Sequence, residues 1–71
     1  MKDKILIDFG SRVKLLRQDI GISQEGLGDK AGLHRTYVGM VERAEKNISL
    51  LNIKKIADAL EISVGELMEG L

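Results

Sequence analysis

The residues of this 71-residue chain that are equipped for chemistry are hydrogen-bonding ones rather than bond-making ones. There is no Cys and only one His, so neither a thiolate nucleophile nor a metal cluster can be assembled, and no phosphate-binding glycine loop is present. Enzyme activity, a bound metal and a cofactor are not expected, and a chain this short offers no obvious cavity for a small-molecule ligand. A set of donors remains. Arg35 and Thr36 are adjacent, Gln24 precedes them, and Tyr37, Arg43, Lys46 and Asn47 follow. A guanidinium fork fits the O6 and N7 acceptors of guanine, and a threonine offers a hydroxyl for a base or phosphate and a methyl for thymine. On an arbitrary surface helix the same residues would be solvated polar side chains, so the elements that carry them must decide.

Overall charge gives no help. Eleven Lys and Arg balance eleven Asp and Glu, whereas nucleic-acid binders usually show a basic excess. Phosphate contacts act over about a Debye length, roughly 8–10 Å, so the local distribution matters more than the sum. From residue 30 to 46 the cations Lys30, Arg35, Arg43 and Lys46 outnumber the acids Glu42 and Glu45, with His34 additional. The start of the chain, Met1-Lys2-Asp3-Lys4-Ile5-Leu6-Ile7-Asp8, interrupts its apolar run with charge too early for a signal peptide or membrane span, so a soluble, cytoplasmic protein is expected with no membrane partner.

Apolar residues recur at helical spacing almost throughout, and the chain has no Pro, no low-complexity run and no internal repeat. The pattern predicts an all-α fold: a compact bundle of five short helices forming one domain over residues 1–71. Leu6, Phe9, Val13, Leu16 and Ile20 draw one stripe down a first helix, which Gly21 stops. Ser23 is suited to cap a second helix of about nine residues that turns Leu27 and Ala31 inward, and Gly32 to supply a left-handed residue for a tight turn. A third helix, about His34 to Arg43, buries Val38 and Val41 with Tyr37 at its flank. The polar run Glu45-Lys46-Asn47 separates it from a fourth with Ile53, Ile56, Ala57 and Leu60. Ser63 with Glu66 forms a capping box opening a fifth, which carries Val64, Leu67 and Met68. With one Phe, one Tyr and no Trp, the core must be mostly aliphatic.

Two short helices joined by a tight glycine turn form the arrangement in which the later helix can enter a DNA major groove. The run Ser23-Gln24-Glu25-Gly26-Leu27-Gly28-Asp29-Lys30-Ala31-Gly32-Leu33 resembles the helix-turn-helix core of the phage repressor and Cro family, and the resemblance extends over nearly the whole chain. Within that family, His34 to Arg43 and Asn47 to Ile53 look most like controller proteins of bacterial restriction-modification systems. The resemblance implies a sequence-specific transcriptional regulator whose third helix reads bases through Arg35 and Thr36. Gly39, one turn on from Arg35, either lets that helix approach DNA closely or is simply a tolerated glycine. The family commonly sets the Gln24 position against a phosphate and lays the Lys46-Asn47 loop along the backbone, with Tyr37 and Arg43 as weaker candidates. In related repressors the residues matching Arg17 and Glu42 form an ion pair between the first and third helices, and that pair is expected here.

Departures from the family pattern lie close to the motif. Gly26 stands where a Glu commonly completes a capping box with Ser23, and Gly28 where Ala is usual, each costing up to roughly 1 kcal/mol of helix propensity, so a weak second helix is expected. Ala44 replaces a common Gly after the third helix, which leaves a left-handed cap there strained or absent. His34 replaces the usual hydroxyl or Asp cap and reads as a surface residue. Because one recognition helix reads few bases, a homodimer on a palindromic double-stranded operator is expected, with Leu51, Val64 and Leu71 as interface candidates that also suit a core. The alternative is that the same fold serves as an antitoxin or protein-binding adaptor. Activator and repressor roles are equally open.

Overall fold

A computed structural model describes residues 2–71. Its helices are α1 (Lys4–Asp19), α2 (Gln24–Ala31), α3 (Arg35–Glu42), α4 (Leu50–Ala59) and α5 (Val64–Leu67), and no strand occurs among the described residues. The all-α, five-helix expectation holds. α3 packs against α1 and α2, α2 against α4, and α4 against α5. One apolar cluster fills the space between them, with Val13, Leu27, Val38, Ile56 and Leu67 as its largest fully buried side chains and Phe9 as its aromatic member.

Side-chain caps fix where the helices begin. The hydroxyls of Ser23, Ser49 and Ser63 accept from the backbone N–H groups of Gly26 (2.9 Å), Asn52 (3.1 Å) and Glu66 (3.0 Å). These bonds satisfy donors that a first helical turn leaves without intrahelical partners. In α5 the box is complete, because Glu66 also accepts from the Ser63 N–H at 3.2 Å. In α2 only the serine half exists, as the glycine at 26 requires. α5 is only one turn long, and Arg12 of α1 secures its end by donating to the carbonyls of Leu67 (3.0 Å) and Glu66 (2.7 Å). Cations at a helix C-terminus also meet the favourable end of its dipole.

Two local expectations change, and those for His34 and Ala44 become specific. Ile20 lies 50% exposed at the end of α1, because nothing on that helix is buried beyond Arg17 and the apolar stripe outruns the core. The third helix is shorter than residues 34–43: His34 is its N-cap and Arg43 its C-cap. His34 is exposed as expected, but its ring is used, since Nδ1 accepts from the Thr36 N–H at 3.0 Å. Ala44 does adopt the left-handed conformation, with φ 60°, even though it carries a Cβ.

Gly28 is not merely a weak helix former. Gly32 takes φ 70° at the end of α2 and sends the chain sharply back, so that Leu33 N–H donates to the Gly28 carbonyl at 2.9 Å. A Cβ at position 28 would lie 2.4 Å from the Leu33 carbonyl oxygen and 3.3 Å from the Arg35 nitrogen. Gly10 is equally confined, since a Cβ there would lie 2.5 Å from the Val41 carbonyl oxygen, and its absence lets α1 and α3 approach backbone to backbone. Two effects therefore oppose each other in Gly28→Ala. Helix propensity favours Ala by up to about 1 kcal/mol, while the overlap costs roughly 1–3 kcal/mol through backbone shift. Overlap is expected to win, lowering the thermal midpoint by several degrees at about 4–8 °C per kcal/mol for a domain of this size. A raised midpoint for Gly28→Ala in a calorimetric scan would show that the turn gives way without cost.

Candidate nucleic-acid interface

The electrostatic centre of the helix pair is buried. Arg17 of α1 donates from Nε to Glu42 Oε2 at 2.7 Å and from Nη2 to Oε1 at 3.0 Å, a bidentate contact with the last residue of α3. The two side chains are only 10% and 3% exposed. Arg17 Nη1 donates to the Ile22 carbonyl at 3.0 Å, so the same guanidinium also holds the loop entering α2. Hydrogen bonding to Glu42 raises the Arg17 pKa above its ordinary value, against the opposing effect of burial. Gln24 completes the group: its Nε2 donates to Glu42 Oε1 at 3.1 Å. A carboxylate only accepts, so the bond fixes the Gln24 amide with its nitrogen toward Glu42.

This network bears directly on Gly39. A Cβ on that residue would lie 3.0 Å from Arg43 Nη1 and 3.3 Å from Gln24 Oε1, and Gly39 is buried. The missing side chain therefore leaves no bare stretch of groove-facing helix. It makes room for the first residue of α2 and the cap residue of α3 to close over the middle of α3. Gln24, Gly39 and Arg43 form one packed group.

Arg35 and Thr36 stand apart from that group, exposed at the start of α3. Arg35 Nη1 contacts Glu25 Oε2 of α2 at 3.1 Å, with the two side chains 65% and 63% exposed. Tyr37 is half-buried against the core, and its hydroxyl accepts from Asn52 Nδ2 of α4 at 3.1 Å, leaving the phenolic hydrogen to be donated elsewhere. At the far end of α3, Arg43 donates from Nε and Nη2 to the two carboxylate oxygens of Glu45 at 3.2 and 3.3 Å. That hydrogen bonding holds the Glu45 carboxyl below its usual range. Lys46 and Asn47 are exposed in the following loop, which Ile48 anchors against the core.

The interface candidates divide. Leu51 is 66% and Leu71 39% exposed, whereas Val64 is half-buried against the core. Glu25, Asn52 and the Glu45 carboxylate were invisible to sequence reasoning as partners of the candidate residues Arg35, Tyr37 and Arg43. Glu25 and Arg35 are ten residues apart across a turn, and Asn52 of α4 meets Tyr37 of α3 fifteen residues away through the tertiary fold, so no helical i, i+4 rule links either pair.

Residues 13–67, from the middle of α1 through α5, match the helix-turn-helix family. The chain belongs to that family. It is 39% identical over 70 residues to the control protein C.BamHI of Bacillus amyloliquefaciens, covering 97% of this chain and 86% of the relative. It is 37% identical over 68 residues to the control protein C.MunI of a Mycoplasma species, covering 94% and 92%. Among solved structures, the restriction-modification controller protein C.AhdI from Aeromonas hydrophila superposes with a TM-score of 0.85 at 52% identity, over 87% of this chain and 90% of that one. In helix-turn-helix terms α2 is the supporting helix and α3 the recognition helix, and the Arg17–Glu42–Gln24 network joins both to α1.

Neutralising Glu42 leaves a nearly buried guanidinium without its counter-charge, a change that costs about 3–5 kcal/mol in comparable pairs. Glu42→Gln is therefore expected to lower the urea midpoint strongly with an unchanged m-value. A midpoint within error of the parent's would show that the pair contributes nothing to stability.

Proposed function

We infer that the chain is a sequence-specific DNA-binding transcriptional regulator of the restriction-modification controller type, acting as a homodimer on a palindromic operator with α3 in the major groove. The observation that carries this reading is the exposed start of α3, where Arg35 and Thr36 project from a helix whose other contacts are fixed by α1 and α2. Side chains at that end of a recognition helix are the ones that reach base edges. The likeness to C.BamHI, C.MunI and C.AhdI, named as control or controller proteins, supports the narrower class. Arg35 is the principal base reader and Thr36 its companion. Lys46 and Asn47 contact the sugar-phosphate backbone, joined by Gln24, Tyr37 and Arg43, and Gly39 contributes by letting Gln24 and Arg43 lie across the helix.

Selection of bound sites from random duplex DNA, followed by affinity measurements over a salt series, tests this. Arg35→Ala is expected to cost about 1–3 kcal/mol on the selected site and to relax preference at one base pair. Lys46→Ala is expected to weaken all sequences alike and to reduce the salt slope by about one. If the parent protein enriches no site and its weak binding shows no salt dependence, the DNA-binding reading is wrong.

Homodimerisation is supported by Leu50 and Leu51, neighbouring leucines at the start of α4 that are 74% and 66% exposed. Val64 is a poor probe, because a charge there disturbs the core as well. Leu51→Glu introduces a charge at an exposed site and is expected to yield a folded monomer by analytical sedimentation. A Leu51→Glu protein of unchanged mass in solution would move the interface away from this end of α4.

A further inference from the structure

The two arginines that flank the recognition helix are both engaged by carboxylates of the same chain. Arg43 meets Glu45 through two hydrogen bonds, whereas Arg35 meets Glu25 through one. Glu25 sits in the first turn of α2, where amide donors and the positive end of the helix dipole otherwise attract a phosphate. A fixed negative charge therefore stands beside Arg35 at the start of α2.

The single contact is the informative one. A guanidinium has five N–H donors, and Glu25 uses one of them at Nη1, so donors remain for the paired acceptors of a guanine edge. Guanine is neutral, and Arg35 can address it while still bonded to Glu25. A phosphate is different, because it carries a full charge, competes for the same cation and is repelled by the carboxylate. The ion pair thus penalises contacts made through charge alone more than contacts made through base geometry. Resting on the assignment of α3 as the base-reading helix, we propose that Glu25 is a specificity-determining residue that suppresses non-specific DNA binding by occupying Arg35 against phosphate. The neutral net charge of the chain agrees with this: affinity for arbitrary DNA is held down by internal anions placed beside the recognition cations.

Glu25→Gln tests the idea. The side chain is exposed, so the change should lower the thermal midpoint by only a few degrees and leave the protein folded. Binding is measured by fluorescence anisotropy on the selected operator and on a scrambled duplex of equal length, at several salt concentrations. Glu69→Gln, which makes the same charge change on an exposed residue beyond α5, serves as reference. Releasing an exposed ion pair and one phosphate repulsion should tighten scrambled-duplex binding by about three- to tenfold and steepen its salt slope by about one. Operator binding should change by less than about twofold, so the specificity ratio falls, while Glu69→Gln leaves that ratio where it was. Equal tightening on both duplexes overturns the proposal and reduces Glu25 to a general charge effect. A loss of operator affinity also overturns it, making Glu25 a support for Arg35. If the parent protein itself prefers the operator no more than the scrambled duplex, the base-reading assignment of α3 falls, and this inference with it.

Discussion

The contact between Arg17 and Glu42 joins more of the molecule than any other polar side-chain contact among the described residues. One guanidinium reaches the end of α3 through two donors and the carbonyl of Ile22 through a third, and the carboxylate it pairs with also receives the amide of Gln24. Three helices and the loop between two of them thereby share a single electrostatic node. Burial makes the node demanding, since a charge removed from water must recover its solvation from nearby partners. Every buried polar side-chain atom among the described residues has a hydrogen-bond partner, so the demand is met. The orientation of α3 relative to α1 is consequently set by hydrogen-bond geometry as well as by apolar packing, which tolerates sliding more readily.

Around that node the backbone is brought unusually close. Gly10 and Gly28 allow contact between backbones where side chains would normally keep helices and turns apart. Gly39 then admits Gln24 and Arg43 over the face of α3. The domain is small and its aliphatic core modest, so close approach and directional polar contacts contribute a large share of its specificity of form. The start of α3 is the opposite case. Arg35 and Thr36 are exposed, restrained by one exposed ion pair and a backbone cap.

Much of the fold was legible because helical periodicity, serine caps and the Gly32 turn are local signals. The core positions Val13, Leu27, Val38 and Ile56 could be read from spacing alone. Ile20 shows the limit of that method, since periodicity identifies a face but not how far the neighbouring helix extends along it. Gly28 shows another limit. Propensity correctly ranks glycine as a poor helix former, but the reason for its presence lies in the returning Leu33 carbonyl, which no single-residue scale contains. The candidate site divides along the same line. Residues of the motif could be named from their order, whereas the carboxylates facing Arg35 and Arg43, and the amide bonded to Tyr37, are products of packing.

Ala44 carries a consequence for how this segment can vary. It holds φ 60° directly after the α3 cap, a conformation that costs a residue with a Cβ on the order of 1–2 kcal/mol, yet it is only 7% exposed and its methyl lies within the protein. Glycine there would relax the backbone but remove the methyl from its packing and loosen the unfolded chain. A β-branched residue would fit the interior less well and strain the turn further. Position 44 is thus caught between a dihedral preference and a volume requirement, and the path of the Lys46 loop is held at its start by Ala44 and at its end by Ile48. Drift in that loop can alter what it touches more easily than where it runs.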